Sequence, residues 1–276
     1  MRLVTCILLA ILFVMGASAQ SKSKKKQASK TELPTIEIPS SYKDRLANAQ
    51  QAIAVSMAGW NTNTGTLTRW ERTENAWAQA GDAIPVTIGK DGLGWDALIE
   101  PPAVAGEPVK KEGDGRSPSG IFLLTTAFGF APDSPDSKFP YHPLTEGTNC
   151  VDDSNSRHYN RIVELHDVSY KDWDSSEQMR TITPQYEIGV VVDYNDQKVP
   201  GAGSCIFLHV WKSSTDPTAG CTAMDKDNLQ EIISWLDEKK SPVLIQFTAP
   251  WYERLQSDWK LPPLTSAKSA ARSPKE

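Results

Sequence analysis

Cys205-Ile206-Phe207-Leu208-His209-Val210-Trp211, then a polar loop, then Thr218-Ala219-Gly220-Cys221-Thr222-Ala223-Met224 is the stretch that decides how this chain is read. The first half alternates as a strand does. Ile206, Leu208 and Val210 share one face, and Cys205, Phe207, His209 and Trp211 share the other. If the aliphatic face is core, His209 points to the opposite side, toward a cleft. The second half is a small-residue turn carrying a cysteine. A thiol at its ordinary pKa is mostly protonated, and an imidazole beside it converts it to the nucleophilic thiolate. Gly220 permits a tight turn there, and the backbone amides around it are candidates to line an oxyanion site. A buried thiol and a hydrogen-bonded strand histidine satisfy the same pattern with no chemistry at all.

Working outward, several further strands are expected, at residues 52–58, 67–72, 76–79, 85–89, 120–124, 161–165 and 187–194, with a turn at 61–65. One helix stands out. Leu229, Ile232, Ile233 and Leu236 follow the i, i+3, i+4, i+7 spacing, with Asp225 or Asp227 as N-cap and Lys239-Lys240-Ser241-Pro242 as the stop. An apolar strand returns at 243–247. The expected class is mainly β with few helices: a curled sheet or β-sandwich with one amphipathic helix packed on it. The nine tryptophans read as core and rim packing.

The ends differ in composition. Residues 1–19 carry Arg2, an apolar run at 3–15 and Ala17-Ser18-Ala19, the pattern of a cleaved secretory leader. The apolar run falls short of the ~20 residues a membrane span needs. The mature chain is therefore expected to be exported to the periplasm or cell envelope, with no membrane span. Residues 20–45 include the Lys/Ser-rich SKSKKKQASK and are expected to be a disordered linker; 46–260 is the expected catalytic domain and 261–276 a polar tail.

The net charge is −5, one unit more negative once Arg2 leaves with the leader. An acidic chain without a basic stripe argues against nucleic acid as a partner. Neither a Gly-rich phosphate loop nor a dinucleotide fingerprint is present, so no cofactor is expected. The His and Cys spacings do not suit a metal either. Oligomeric state is not readable.

Removing the leader leaves Cys150, Cys205 and Cys221. Cys150 and Cys205 sit at loop ends and strand starts, where a bridge is expected, leaving Cys221 as a free thiol. Three unpaired cysteines, or a bridge from Cys221 to either of the others, are the open alternatives.

Taken together, Gly113-Asp114-Gly115-Arg116-Ser117-Pro118-Ser119-Gly120-Ile121-Phe122, the segment 186–195, and above all Ser204 to His209 followed by Thr218-Ala219-Gly220-Cys221 resemble the YkuD-type L,D-transpeptidases of bacterial cell-wall synthesis. The resemblance spans residues 52–247. It implies a β-rich domain whose cysteine attacks the peptide bond after a diamino acid in a peptidoglycan stem peptide. Cys221 would be the nucleophile, His209 the base, and the Val210 carbonyl the oxygen that orients the ring. Arg116, Thr218 and Tyr159 are expected substrate contacts, Arg116 by gripping a carboxylate bidentately. Hydrolysis of the same bond by an L,D-carboxypeptidase, or a non-catalytic wall-binding scaffold, are the alternative outcomes. The chain departs from the commoner family pattern at Ala219, where a second histidine is usual, at Ala223, and in a shorter loop after His209.

Overall fold

The computed structural model describes residues 38–74, 76–98, 106–133 and 137–264. The leader, most of the stretch 20–45 and residues 265–276 of the C-terminal tail lie outside them. In chain order the elements are α1 (Ser40–Asn48), β1 (Gln51–Met57), β2 (Thr64–Thr73), β3 (Ala76–Gln79), β4 (Ile84–Thr87), β5 (Leu93–Trp95), β6 (Ser117–Gly129) and β7 (Tyr141–Pro143). There follow β8 (Thr148–Val151), β9 (Arg161–Glu164), β10 (Ser176–Gln178), β11 (Ile188–Val192), β12 (Phe207–Val210), β13 (Thr222–Met224), α2 (Lys226–Trp235), β14 (Val243–Thr248) and α3 (Ala249–Trp259).

The main sheet runs β1-β14-β6-β11-β12-β13-β4-β2-β3, and β1 also pairs with β2. The long strand β2 makes this possible: Thr64–Leu67 ladder with β4, and Thr66–Glu71 with β1. The sheet therefore curls until its ends meet. Period-two alternation then sorts side chains to the inside or the outside of the curl. Ile53 and Val55, Leu67, Val86, Phe122, Val190, and Ile206, Leu208 and Val210 point inward to one buried cluster. Ala52, Ala54, Ile121, Val243, Ile245 and Phe247 point outward to a second.

α2 closes the inner cluster. Leu229, Ile232, Ile233 and Leu236 are all fully buried in it, each burial contributing about 1.5–3 kcal/mol. The Asp225 carboxylate accepts from the Asp227 N–H at 2.9 Å, which caps the first turn. The chain leaves through Ser241, in left-handed backbone just before Pro242.

Two further helices cover the outer cluster, where the sequence pointed to one packed helix in all. α3 presents Trp251, Tyr252, Leu255 and Trp259 to it. α1 presents Tyr42 and Leu46; its residues 40–45 fall within the stretch expected to be linker and are helical, because these two apolar residues one helical turn apart pack against β6 and the outer cluster. Tyr42 Oη donates to Asp96 at 2.7 Å, and a Cβ at residue 120 would lie 2.1 Å from that oxygen, so only Gly120 lets helix and strand approach. At the other end Leu261 and Pro262 are buried, so the domain also runs slightly past residue 260.

A second, three-stranded sheet, β10-β8-β9, accompanies a third cluster of Phe128, Leu144, Cys150, Met179, Tyr186, Cys205, Phe207 and Cys221. This cluster lies on the Cys205/Phe207/His209 face of β12. It positions the site.

Candidate active site

β12 and β13 run parallel, with Leu208 opposite Thr222, His209 opposite Ala223 and Val210 opposite Met224. Parallel partners share a face, and so do residues two apart along a strand. Cys221, two residues before Ala223, is thus a diagonal neighbour of His209, at a Cα separation of about 8 Å from the strand rise and spacing. Both side chains line one cleft of about 300 Å³, together with Tyr186, Glu177, Thr218 and Ala219. The alternation that placed His209 opposite the aliphatic core face is what turns it into this cleft.

The turn carrying Cys221 is held on all sides. Thr218 Oγ1 accepts from Gly220 N–H at 3.1 Å and donates to the Cys221 carbonyl at 2.7 Å. Ser117 Oγ donates to the same carbonyl at 3.0 Å and accepts from Gly89 N–H at 2.9 Å. Backbone bonds Thr218 N–H to Ile88 O and Lys90 N–H to Thr218 O, both 2.9 Å, tie the loop beside the end of β4. A Cβ on residue 220 would sit 3.1 Å from the Arg116 carbonyl, so glycine lets the turn lie close against the entry to β6. Since the Gly220 N–H is occupied by Thr218, it is not the free oxyanion donor that sequence reading suggested.

The thiol itself is buried, 7% exposed. Cys221 Sγ accepts from Phe207 N–H at 3.3 Å and donates to Cys205 O at 3.4 Å. Cys150 and Cys205 are joined by a disulfide, and Cys221 is the free cysteine among the described residues. The bridge fastens β8 to the residue that leads into β12, and that residue's carbonyl touches the thiol. Burial, then the neighbouring Glu177, push the Cys221 pKa well up; the Phe207 amide, Lys110 and the Tyr186 hydroxyl oppose them.

His209 Nδ1 lies 2.8 Å from the Val210 carbonyl. With the proton on Nδ1, Nε2 is left as an acceptor. Burial pushes the ring down to about 4, the Val210 bond notwithstanding, so it is neutral at ordinary pH. Tyr186 stacks edge-on against it, ring centres 5.6 Å apart. Val210 N–H donates to Gln185 O at 3.1 Å, which sets the Tyr186 segment against β12.

Two of the expected substrate contacts lie away from this cleft. The Arg116 guanidinium donates to the Trp60 and Leu93 carbonyls at 3.0 and 2.8 Å and to Asn61 Oδ1 at 2.9 Å. Two backbone carbonyls and one side-chain oxygen thus hold the guanidinium in place, away from the cleft. Tyr159 is buried, donates to Glu112 and accepts from Gly203 N–H at 3.0 Å, holding the loop before β12. Neither residue lines the cleft, whereas Thr218 does, with its hydroxyl committed to the turn. Conversely, Tyr186 and Glu177 line the cleft with no role assigned from sequence. Tyr186 was visible only as the start of a quoted segment, and Glu177 sits on a three-residue strand with no periodic signal.

Residues 60–245 match the family model of the YkuD L,D-transpeptidase catalytic domain. The match covers well over half of the chain, and the protein belongs to that family. Neither a curated protein nor a solved structure gave a match.

Proposed function

We propose that the protein is an exported cysteine acyltransferase acting on peptidoglycan stem peptides. The observation that supports this most is the placing of a free thiol, Cys221, and a neutral imidazole with its far nitrogen open, His209, on one cleft of a YkuD domain. Cys221 attacks the carbonyl of the stem diamino acid, forming a thioester and expelling the residue that follows it. His209, oriented by the Val210 carbonyl, moves the proton between thiol and departing amine. The Cys221 N–H and its neighbours serve the tetrahedral oxyanion, the Gly220 N–H being occupied. A second stem peptide then attacks the thioester through its amine and restores the thiol, leaving a cross-link. Export rests on the leader-like residues 1–19; no helix among the described residues is long and apolar enough to cross a membrane.

Intact-mass spectrometry with a carbapenem tests the nucleophile. The wild type gains a covalent adduct and Cys221→Ala none; an equal adduct on both sinks the assignment. Incubation with disaccharide-tetrapeptide tests the transfer. Cross-linked dimers support it, tripeptide without dimers makes the protein a carboxypeptidase, and no product with no adduct makes it a scaffold.

A further inference from the structure

The acyl-transfer scheme leaves idle a second set of proton-bearing groups that reaches the same sulfur. Tyr186 Oη donates to Glu177 Oε2 at 2.6 Å, and the same hydroxyl interacts with the Cys221 side chain. All three residues line the cleft, and Tyr186 and Cys221 share the buried cluster under the second sheet. Nucleophile, hydroxyl and carboxyl thus form a continuous chain.

We propose that Tyr186 is a catalytic residue and that Glu177, acting through it, is a positioning residue, the two forming a proton relay that draws the thiol proton from Cys221. The proposal rests on Cys221 being the nucleophile. The Cys221 S–H turns from its resting acceptor, the Cys205 carbonyl, to Tyr186 Oη; the S–H bond breaks and its proton passes to Oη, while the proton already on Oη passes to the Glu177 carboxylate. One negative charge moves from carboxylate to sulfur, Tyr186 ends as it began, and no proton enters or leaves the protein.

The repulsion between Glu177 and Cys221 favours this route, against the burial that holds the thiol protonated. An ionised Glu177 beside Cys221 opposes the thiolate by like-charge repulsion, and the transfer removes that charge in the act of making the thiolate. Burial first, then Asp152 after β8 and Glu112 before β6, raise Glu177 to about 7, with the Tyr186 hydrogen bond opposing. A carboxylate there is a usable base at neutral pH. On the thiol side stand Lys110, which favours the thiolate, and His209, whose buried ring holds a proton poorly. In this route the relay takes over from His209 as the thiol's base. The proton stored on Glu177 returns through Tyr186 Oη to the departing amine, and the neutral His209 Nε2 takes the proton of the acceptor amine and hands it to the sulfur when the thioester breaks.

The test is the rate of Cys221 alkylation by iodoacetamide on the mature chain, followed from about pH 5 to about pH 10. Wild type is expected to show a step in rate centred near Glu177's value of about 7, then a second rise in alkali. Glu177→Gln and Tyr186→Phe, both close in shape, are each expected to lose the first step and to react about tenfold more slowly at neutral pH. Both variants keeping the step at the wild-type rate overturns the relay. A wild-type profile rising only in alkali overturns it without any variant, and the ultraviolet absorbance of the thiolate, referenced to Cys221→Ala, checks the same point if a variant fails to fold. Alkylation needs no peptidoglycan. An intact step in a protein that makes no cross-link counts against the acyl-transfer reading and leaves the relay standing.

Discussion

At the scale of single residues, the site is a set of competing demands on a few polar atoms. The Cys221 carbonyl takes two hydroxyl donors, and Thr218 Oγ1 serves the turn twice, as acceptor and as donor. Thr218→Val keeps the shape and removes both bonds, leaving the Gly220 N–H and part of the Cys221 carbonyl unmatched. We expect a loss of about 1–3 kcal/mol in urea unfolding and carbapenem acylation slowed by about tenfold as the thiol drifts from its aim. Acylation at the wild-type rate would show that the turn does not depend on this hydroxyl. The same accounting explains Arg116: three acceptors occupy a guanidinium whose charge, seen in sequence alone, suggested a ligand.

At the scale of elements, the site hangs on β12 and on what fastens its start. Cys205 has left-handed backbone, donates its N–H to Asn160 Oδ1 at 3.0 Å, and is bridged to Cys150 on β8. Its carbonyl is the thiol's acceptor. A Cys150→Ser, Cys205→Ser pair is therefore expected to lose about 2–4 kcal/mol of stability and also to broaden the pH dependence of Cys221 alkylation, since the acceptor loses its tether. Thermal unfolding of the two forms side by side checks the first part; equal midpoints would refute it. α2 makes an independent case. Asp225→Ala removes the side-chain cap and is expected to cost about 1 kcal/mol, with the carbapenem adduct still formed, because the helix packs on the inner face of the curl rather than on the cleft face.

At the scale of the whole molecule, buried ionisable groups link the cleft to folding. Glu177 is raised in the folded state above its ordinary value of 4.5, to about 7. A carboxyl raised in this way adds most to stability at low pH, where both states bind its proton, and that advantage is lost as pH climbs from the unfolded value through the folded one. Glu177→Gln cannot ionise. The stability of this variant relative to wild type should rise between about pH 5 and pH 8, by up to roughly 3 kcal/mol, read from urea unfolding at each pH. A difference flat across that range would mean Glu177 is not held protonated by the fold. His209 runs the opposite way: pushed down to about 4, it contributes stability above about pH 6.5 that fades as the medium is acidified through its folded value.

Local pattern alone determined the parts of this protein that repeat within a few residues. The alternation of residues 206–211 set the two faces of β12, the apolar stripe from Leu229 to Leu236 set α2, and the Gly-Cys and Asp-Gly motifs carried the family. These are short-range properties of backbone period and side-chain polarity, so one stretch of chain contains all the information they need. Tertiary structure decided the rest. α1 and α3 are recruited by grooves that exist only once the sheet has curled, and their apolar residues are too few or too aromatic to announce a helix. Arg116 and Tyr159 were assigned by partners more than twenty residues away along the chain, Leu93 and Glu112 among them. The meeting of Cys221 with His209 depends on the parallel pairing of β12 with β13, and with Glu177 on a second sheet laid over the same face. Such contacts arise from how strands are ordered in space, which a linear reading of residue types does not encode.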